Sequence, residues 1–175
     1  MENYIAQRYV AAEDAEVSGA NVSVLLGTLR DNRIKPFLEE QGFDEVDVNA
    51  WYPQQEFLDL IKKIEETLTY EELVAVGMKG AQVLQVPPEI KNFRQVLPFI
   101  VEGYGLHHRN VPQAEGYQLE EVDDSVTIEC NIPYPPFVLF GYIYGLIKKF
   151  EATDPKHYHM KIDEAENPYN IIISW

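Results

Sequence analysis

The spacing of apolar residues changes part-way along the chain, and the change divides it into a helical first part and a mixed second part. Phe57, Ile61, Ile64 and Leu68 recur at steps of four, three and four, the stripe of a helix lying on a core, with Pro53 placed to open its first turn. Thr69 predicts the cap of a second helix carrying Leu73, Val74 and Val76. Glu71 and Glu72 favour its positive end, and Gly77 and Gly80 weaken it. Asn92 predicts the cap of a third, whose Phe93, Val96, Leu97, Ile100 and Tyr104 form one side; Pro98 falls within it and predicts a kink or a break. Upstream, Asn21 or Ser23 caps a short helix through Val24, Leu25, Leu26 and Leu29 to about Arg30, after a break at Ser18-Gly19. Pro36 opens a further turn that Gly42 ends, and residues 4–17 read equally as strand or helix.

From Tyr117 the period falls to two. Tyr117 and Leu119 alternate with polar residues, Asp123-Asp124-Ser125 turns, and Val126, Ile128, Cys130 and Ile132 alternate with Thr127, Glu129 and Asn131, a hairpin with one buried face. Pro133, Pro135 and Pro136 then hold the chain extended before a run from Phe137 to Phe150 that is apolar nearly all round until Lys148-Lys149, which predicts a buried helix. Gly141 and Gly145 share a face of it, where a neighbouring helix, a second copy or a flat apolar ligand can approach the backbone. A second hairpin follows, with Tyr158, Met160 and Ile162 opposite a strand of Tyr169, Ile171, Ile173 and Trp175, turning at Glu166-Asn167-Pro168. The expected fold is α+β: N-terminal helices packed on an antiparallel sheet, with a strand-strand-helix-strand-strand C-terminal half. The expected organisation is an extension at 1–19 and a single domain at 20–175.

Composition narrows the function. A chain of 175 residues with 46% hydrophobic content supports a real core. Its net charge of −15, with no basic cluster longer than Lys62-Lys63 or Lys148-Lys149, argues against nucleic acid and anionic membranes as partners. One cysteine, Cys130, excludes an intrachain disulfide. The start lacks a signal-peptide pattern and no apolar run reaches the roughly 20 residues of a membrane span, so a cytoplasmic location is expected.

Candidate chemistry is sparse. His107-His108-Arg109 could ligate a cofactor or grip an anion, and is also what an ordinary helix C-terminus carries. His157 and His159 share a strand face but lack a convincing third ligand, and read as solvent-facing. Cys130 lies on the apolar face of its strand and reads as core. The acidic clusters, such as Glu120-Glu121-Val122-Asp123-Asp124, read as solvated surface. No phosphate loop, nucleophile elbow or metalloprotease helix occurs, so an enzyme is not the first expectation and no catalytic residue is assigned.

The helix ending in Tyr104-Gly-Leu-His-His-Arg, the Tyr117 to Ile132 hairpin, the glycine-punctuated helix Gly141 to Phe150, the terminal hairpin, and Trp51-Tyr52-Pro53 together resemble one superfamily. It groups the haem nitric-oxide-binding domains, the small TRAPP tethering subunits and the 4-vinyl-reductase domains. The resemblance implies an apolar pocket between helices and sheet. It also implies that His107 or His108 stands near the position where the haem domains hold iron. Those domains carry a Tyr-x-Ser-x-Arg motif for the haem propionates. The matching stretch here, Cys130-Asn-Ile-Pro-Tyr-Pro-Pro, has neither the serine nor the arginine, and the final hairpin lacks the cysteines of vinyl-reductase relatives. The expected function is a small-molecule-binding or sensory domain without catalysis of its own, holding an apolar or aromatic ligand. Its expected ligand-binding residues are Trp51, Tyr104, His107, His108, Phe137, Phe140, Gly141 and Tyr144. A dimeric scaffold of TRAPP type and a haem-based gas sensor are the alternatives. The cofactor stays open, with haem the less favoured, and a homodimer or a signalling partner is expected.

Overall fold

A computed structural model describes residues 4–29, 31–150, 159–163 and 168–174. Three strands and five helices come first: β1 (Glu16–Ser18), α1 (Gly19–Thr28), α2 (Lys35–Gln41), β2 (Trp51–Pro53), α3 (Gln54–Thr67), α4 (Tyr70–Val83), α5 (Phe93–His107) and β3 (His108–Arg109). The C-terminal half is β4 (Gly116–Val122), β5 (Ser125–Asn131), α6 (Pro136–Phe150), β6 (His159–Asp163) and β7 (Tyr169–Ser174). The α+β expectation holds, with strand-strand-helix-strand-strand in the C-terminal half. The sheet there is antiparallel throughout, in the order β4-β5-β7-β6. The predicted turn at Glu166-Asn167 and the terminal Trp175 lie outside the described residues, as does His157; His159 is exposed on β6.

Several local expectations stand and one changes. Thr69 and Asn92 cap α4 and α5, and Thr69 forms a full capping box with Glu72. Gly42 closes α2 at φ 72, where a residue with a Cβ would be strained. The cap of α1 is neither Asn21 nor Ser23 but Ser18. It ends β1 in extended geometry and accepts the Asn21 N–H on its Oγ. Ser18-Gly19 therefore begins the helix that the sequence reading started later. Helix α5 runs through Pro98 as one element.

A small second sheet, β2-β1-β3, was not foreseen, because strands of two and three residues carry too little pattern to read. It sets Ser18 opposite Trp51 and Val17 opposite His108. Residues ahead of it also lie against the body: the Ala6 N–H donates to Asn131 Oδ1 (2.8 Å) and the Tyr9 N–H to the Pro133 carbonyl (2.8 Å).

Helix α6 is buried on two sides. Ile143, Leu146 and Ile147 join Val126, Ile128, Ile171 and Ile173 of the sheet and Val96 and Leu97 of α5 in one apolar cluster. Its other side meets α4. A Cβ at Gly141 would collide with the Val74 carbonyl and one at Gly77 with the Val138 carbonyl. One at Gly145 would come within 2.7 Å of Ala81 Cβ. Gly77 thus does not weaken α4 for nothing: its missing Cβ lets the two backbones touch. Lys149, reaching back from α6, donates to the carbonyls of Ala81 (3.2 Å), Gln82 (3.1 Å) and Leu84 (2.7 Å) and so satisfies the C-terminal end of α4.

Gly141→Ala is expected to lower unfolding free energy by about 1–3 kcal/mol through overpacking. Gly27→Ala, where a Cβ meets nothing within 4 Å, is expected to raise it by about 0.5–1 kcal/mol. Denaturant midpoints of the two variants check the pair, and equal effects would contradict the close contact.

Candidate functional site

The two apolar clusters, one around the sheet and one among α1, α3 and α4, do not close completely where they meet at Tyr134. A cavity of about 790 Å³ remains. Its walls come from α1 (Asn21, Val24), α4 (Val76, Gly77), α5 (Ile100, Tyr104, His107), α6 (Val138, Tyr142) and the proline-held segment before α6. That volume is in the range of small-molecule sites, which are concave and mostly apolar with a few polar groups. Val24, Val83 and Phe99 line it while remaining 45%, 58% and 38% exposed, so its mouth lies between α1, α4 and α5. Among the described residues no lysine, arginine or carboxylate lines the cavity.

The two histidines at the end of α5 have different jobs. His108 is buried (6% exposed) and fully engaged. Its Nδ1 lies 3.0 Å from the Tyr104 carbonyl, which can only accept, so Nδ1 carries the proton and Nε2 accepts from the Tyr134 hydroxyl at 2.8 Å. The ring stacks on Tyr104 at 4.0 Å and 10°. Tyr104 in turn donates to the buried Glu115 carboxylate (2.5 Å), whose other oxygen takes the Tyr4 hydroxyl (2.8 Å), and Gln54 Nε2 donates to the Tyr134 hydroxyl (3.3 Å). Burial is the main reason the His108 pKa falls to about 4, its bond to the Tyr104 carbonyl opposing the shift.

His107 is half-buried on the cavity wall, and burial also lowers its pKa. Its Nδ1 is held by Ser18 Oγ at 2.8 Å, and Nε2 has no hydrogen-bond partner among the described residues. A neutral imidazole with one nitrogen held by a hydrogen bond is the usual form of a metal-ligating histidine.

Of the eight residues expected to line a ligand site, the structure brings Tyr104, His107 and His108 together on the cavity wall. The other five lie elsewhere. Gly141 is covered by the Val74 backbone, so its bare face serves α4 rather than a ligand or a second copy. Trp51 lies under the Arg109 guanidinium at 4.4 Å, and Phe137 is edge-on to Tyr70 at 4.7 Å. Lys148 sits 4.6 Å over Tyr144, and Phe140 packs against the sheet cluster. One geometric reason covers those on α6: it meets the cavity through Val138, Leu139 and Tyr142, a side of the helix that does not carry Phe137, Phe140, Gly141 or Tyr144. Sequence reading missed Ser18, Gln54 and Glu115, which carry no motif. It also missed Tyr134, although the flanking prolines were a signal that its backbone is held.

No protein-family model matches the chain, and no curated protein matches it. Solved structures do. One, described as "Modulating Heme Redox Potential Through Protein-Induced Porphyrin Distortion", superposes with a TM-score of 0.65 at 15% identity, covering 90% of this chain and 99% of that one. A phenylalanine-to-leucine variant of Tt H-NOX superposes with a TM-score of 0.57 at 18% identity, covering 90% and 94%. The chain has the H-NOX fold. Identity this low shows shared architecture and leaves the site to be argued from its own residues.

Acid is expected to destabilise the protein through His108. Its folded pKa of about 4 lies below the unfolded value near 6.5, so between these pH values the unfolded chain holds the extra proton. Stability contributed by the neutral ring is complete above about pH 6.5 and falls by about 3 kcal/mol on the way to pH 4. Unfolding curves across that window check this, and His108→Gln should flatten the dependence.

Proposed function

We propose that the chain is the ligand-holding domain of a sensor and that its cavity takes a haem, with His107 as the iron ligand. One observation carries this reading: His107 stands on the cavity wall, at the end of the helix before the hairpin, with Nδ1 held by Ser18 and Nε2 unpartnered among the described residues. The likeness to haem-domain structures supports the choice of group. The residues fit a tetrapyrrole at the metal, through an imidazole with an orienting partner, and along its hydrocarbon edge, through apolar walls of sufficient volume. They offer its carboxylates no cation. Arg109, next to the histidines, is bonded to Glu16 and stacked on Trp51. Carboxylates would therefore have to face water at the mouth beside Val24, Val83 and Phe99. A bound haem would supply an iron able to take a small gaseous ligand, tuned by its axial imidazole and the polarity of the pocket. The chain's part is to hold that imidazole neutral and aimed, to keep His108 out of competition by engaging both its nitrogens, and to exclude water with the α1, α4 and α6 side chains.

A second reading is favoured by the uncharged wall: a neutral, flat, apolar guest, without metal, that meets His107 by a hydrogen bond. Titration with haem separates the two. The first reading expects a stoichiometric Soret band that His107→Ala removes or shifts and His108→Gln leaves in place. Absence of a saturable band rejects it. A rise in melting temperature with uncharged polycyclic compounds but not with haem then supports the second.

A further inference from the structure

Ser18 lies at a junction that the cavity reading does not by itself require. The residue is 7% exposed, and its one hydroxyl oxygen caps α1 by accepting the Asn21 N–H at 3.2 Å and also meets His107 Nδ1 at 2.8 Å. Asn21 and Val24 of α1 and His107 of α5 line the same cavity, so two of its walls join at this atom. Strand pairing holds the join in place: β1 lies between β2 and β3, with Ser18 opposite Trp51 and Val17 opposite His108.

We propose that Ser18 is the positioning residue of the cavity histidine: its hydroxyl keeps Nδ1 occupied, commits Nε2 to the guest, and adapts the ring to the guest's chemistry by reversing one hydrogen bond. The proposal rests on His107 being the guest-facing group of the cavity. A hydroxyl has one proton and two acceptor positions. The Asn21 N–H uses one acceptor position. With no guest, the hydroxyl proton is best placed on His107 Nδ1, because Ser18 is buried and a buried donor left unused is costly. The ring then carries its proton on Nε2 and shows a donor to the cavity, suited to an oxygen acceptor on a guest. When Nε2 gives its lone pair to a metal, the proton belongs on Nδ1 and the same bond runs from Nδ1–H to Oγ. No proton is gained or lost by the ring and hydroxyl together except the one that the guest displaces from Nε2 and the ring regains at Nδ1 from solvent. The helix cap survives both states, since the Asn21 N–H needs only a lone pair; in the metal-bound state the hydroxyl proton loses its acceptor on Nδ1, a cost that the bond to the metal must offset.

Ring-nitrogen NMR shifts of His107 in the isotope-labelled, guest-free protein, together with haem titration, test this in four variants, Ser18→Gly, Ser18→Asp, Ser18→Thr and Ser18→Ala. Ser18→Gly removes the hydroxyl at a position where glycine is well tolerated as a cap. Ser18→Asp keeps the cap but offers an acceptor only. In the wild type the proton is expected on Nε2. Ser18→Gly should shift His107 towards a mixture of tautomers and weaken haem binding by about tenfold or more, the usual cost of losing a metal ligand's orienting partner. Ser18→Asp should move the proton to Nδ1, and Ser18→Thr should behave as wild type. Unchanged His107 shifts in both Ser18→Gly and Ser18→Asp would overturn the proposal, as would Ser18→Ala and Ser18→Thr weakening haem equally. A wild type that takes no haem would defeat the haem reading alone, because the ring-nitrogen shifts still decide the role of Ser18.

Discussion

The contact between α4 and α6 is the constraint from which the rest of the architecture follows. Gly77 and Gly141 each stand where any side chain would strike the backbone of the other helix, and Gly145 stands against Ala81 and Met78. Two backbones brought this close act as one stiff unit, because the packing has no side-chain layer that could slide or relax. Lys149 reinforces it by tying the last carbonyls of α4 to α6. One flank of the unit seals the core over the sheet with Ile143, Leu146 and Ile147. The other presents Val76, Val138 and Tyr142 to an interior space.

That space persists because the elements around it cannot collapse inward. The sheet packs on α5 and α6 and the second apolar cluster is filled by α1, α3 and α4, so each core is satisfied before the gap between them closes. Polar groups near the gap are arranged so that few are left for a guest. His108, Tyr104, Tyr134, Gln54 and Glu115 bind one another, and the buried Glu115 carboxylate is satisfied by two tyrosine hydroxyls rather than by a cation. His107 is left with a held Nδ1 and, among the described residues, no partner at Nε2. Adjacent histidines on one helix end thus divide into a ring engaged in the tyrosine network and one on the cavity wall.

Much of this was legible in the sequence where the signal is periodic or local. The Phe57-Ile61-Ile64 stripe, the caps at Thr69 and Asn92, the alternation of Val126 to Ile132 and the apolar run after Pro136 all match the elements they predicted. Burial of Cys130, which raises its thiol pKa, agrees with its place on the apolar face. What failed to be legible depends on pairings distant in the chain. Ser18 and His107 are 89 residues apart, and Tyr4 and Glu115 are 111 apart. No spacing rule connects them. The glycines of α6 mark a place of close approach in the sequence, but which surface approaches is decided by the matching Gly77 on α4. Trp51, Phe137, Phe140 and Tyr144 stand out in the sequence by being aromatic, and aromatic residues pack against one another and against cations as readily as they line a pocket.

A crystal structure of the protein grown with haem would show directly whether the cavity and His107 take the group. The ring system is expected inside the cavity between α1, α4 and α5, with iron bonded to His107 Nε2, Ser18 still against Nδ1, and the carboxylates at the mouth. Haem bound outside that cavity, or iron on His108 with the tyrosine network broken, would contradict that expectation.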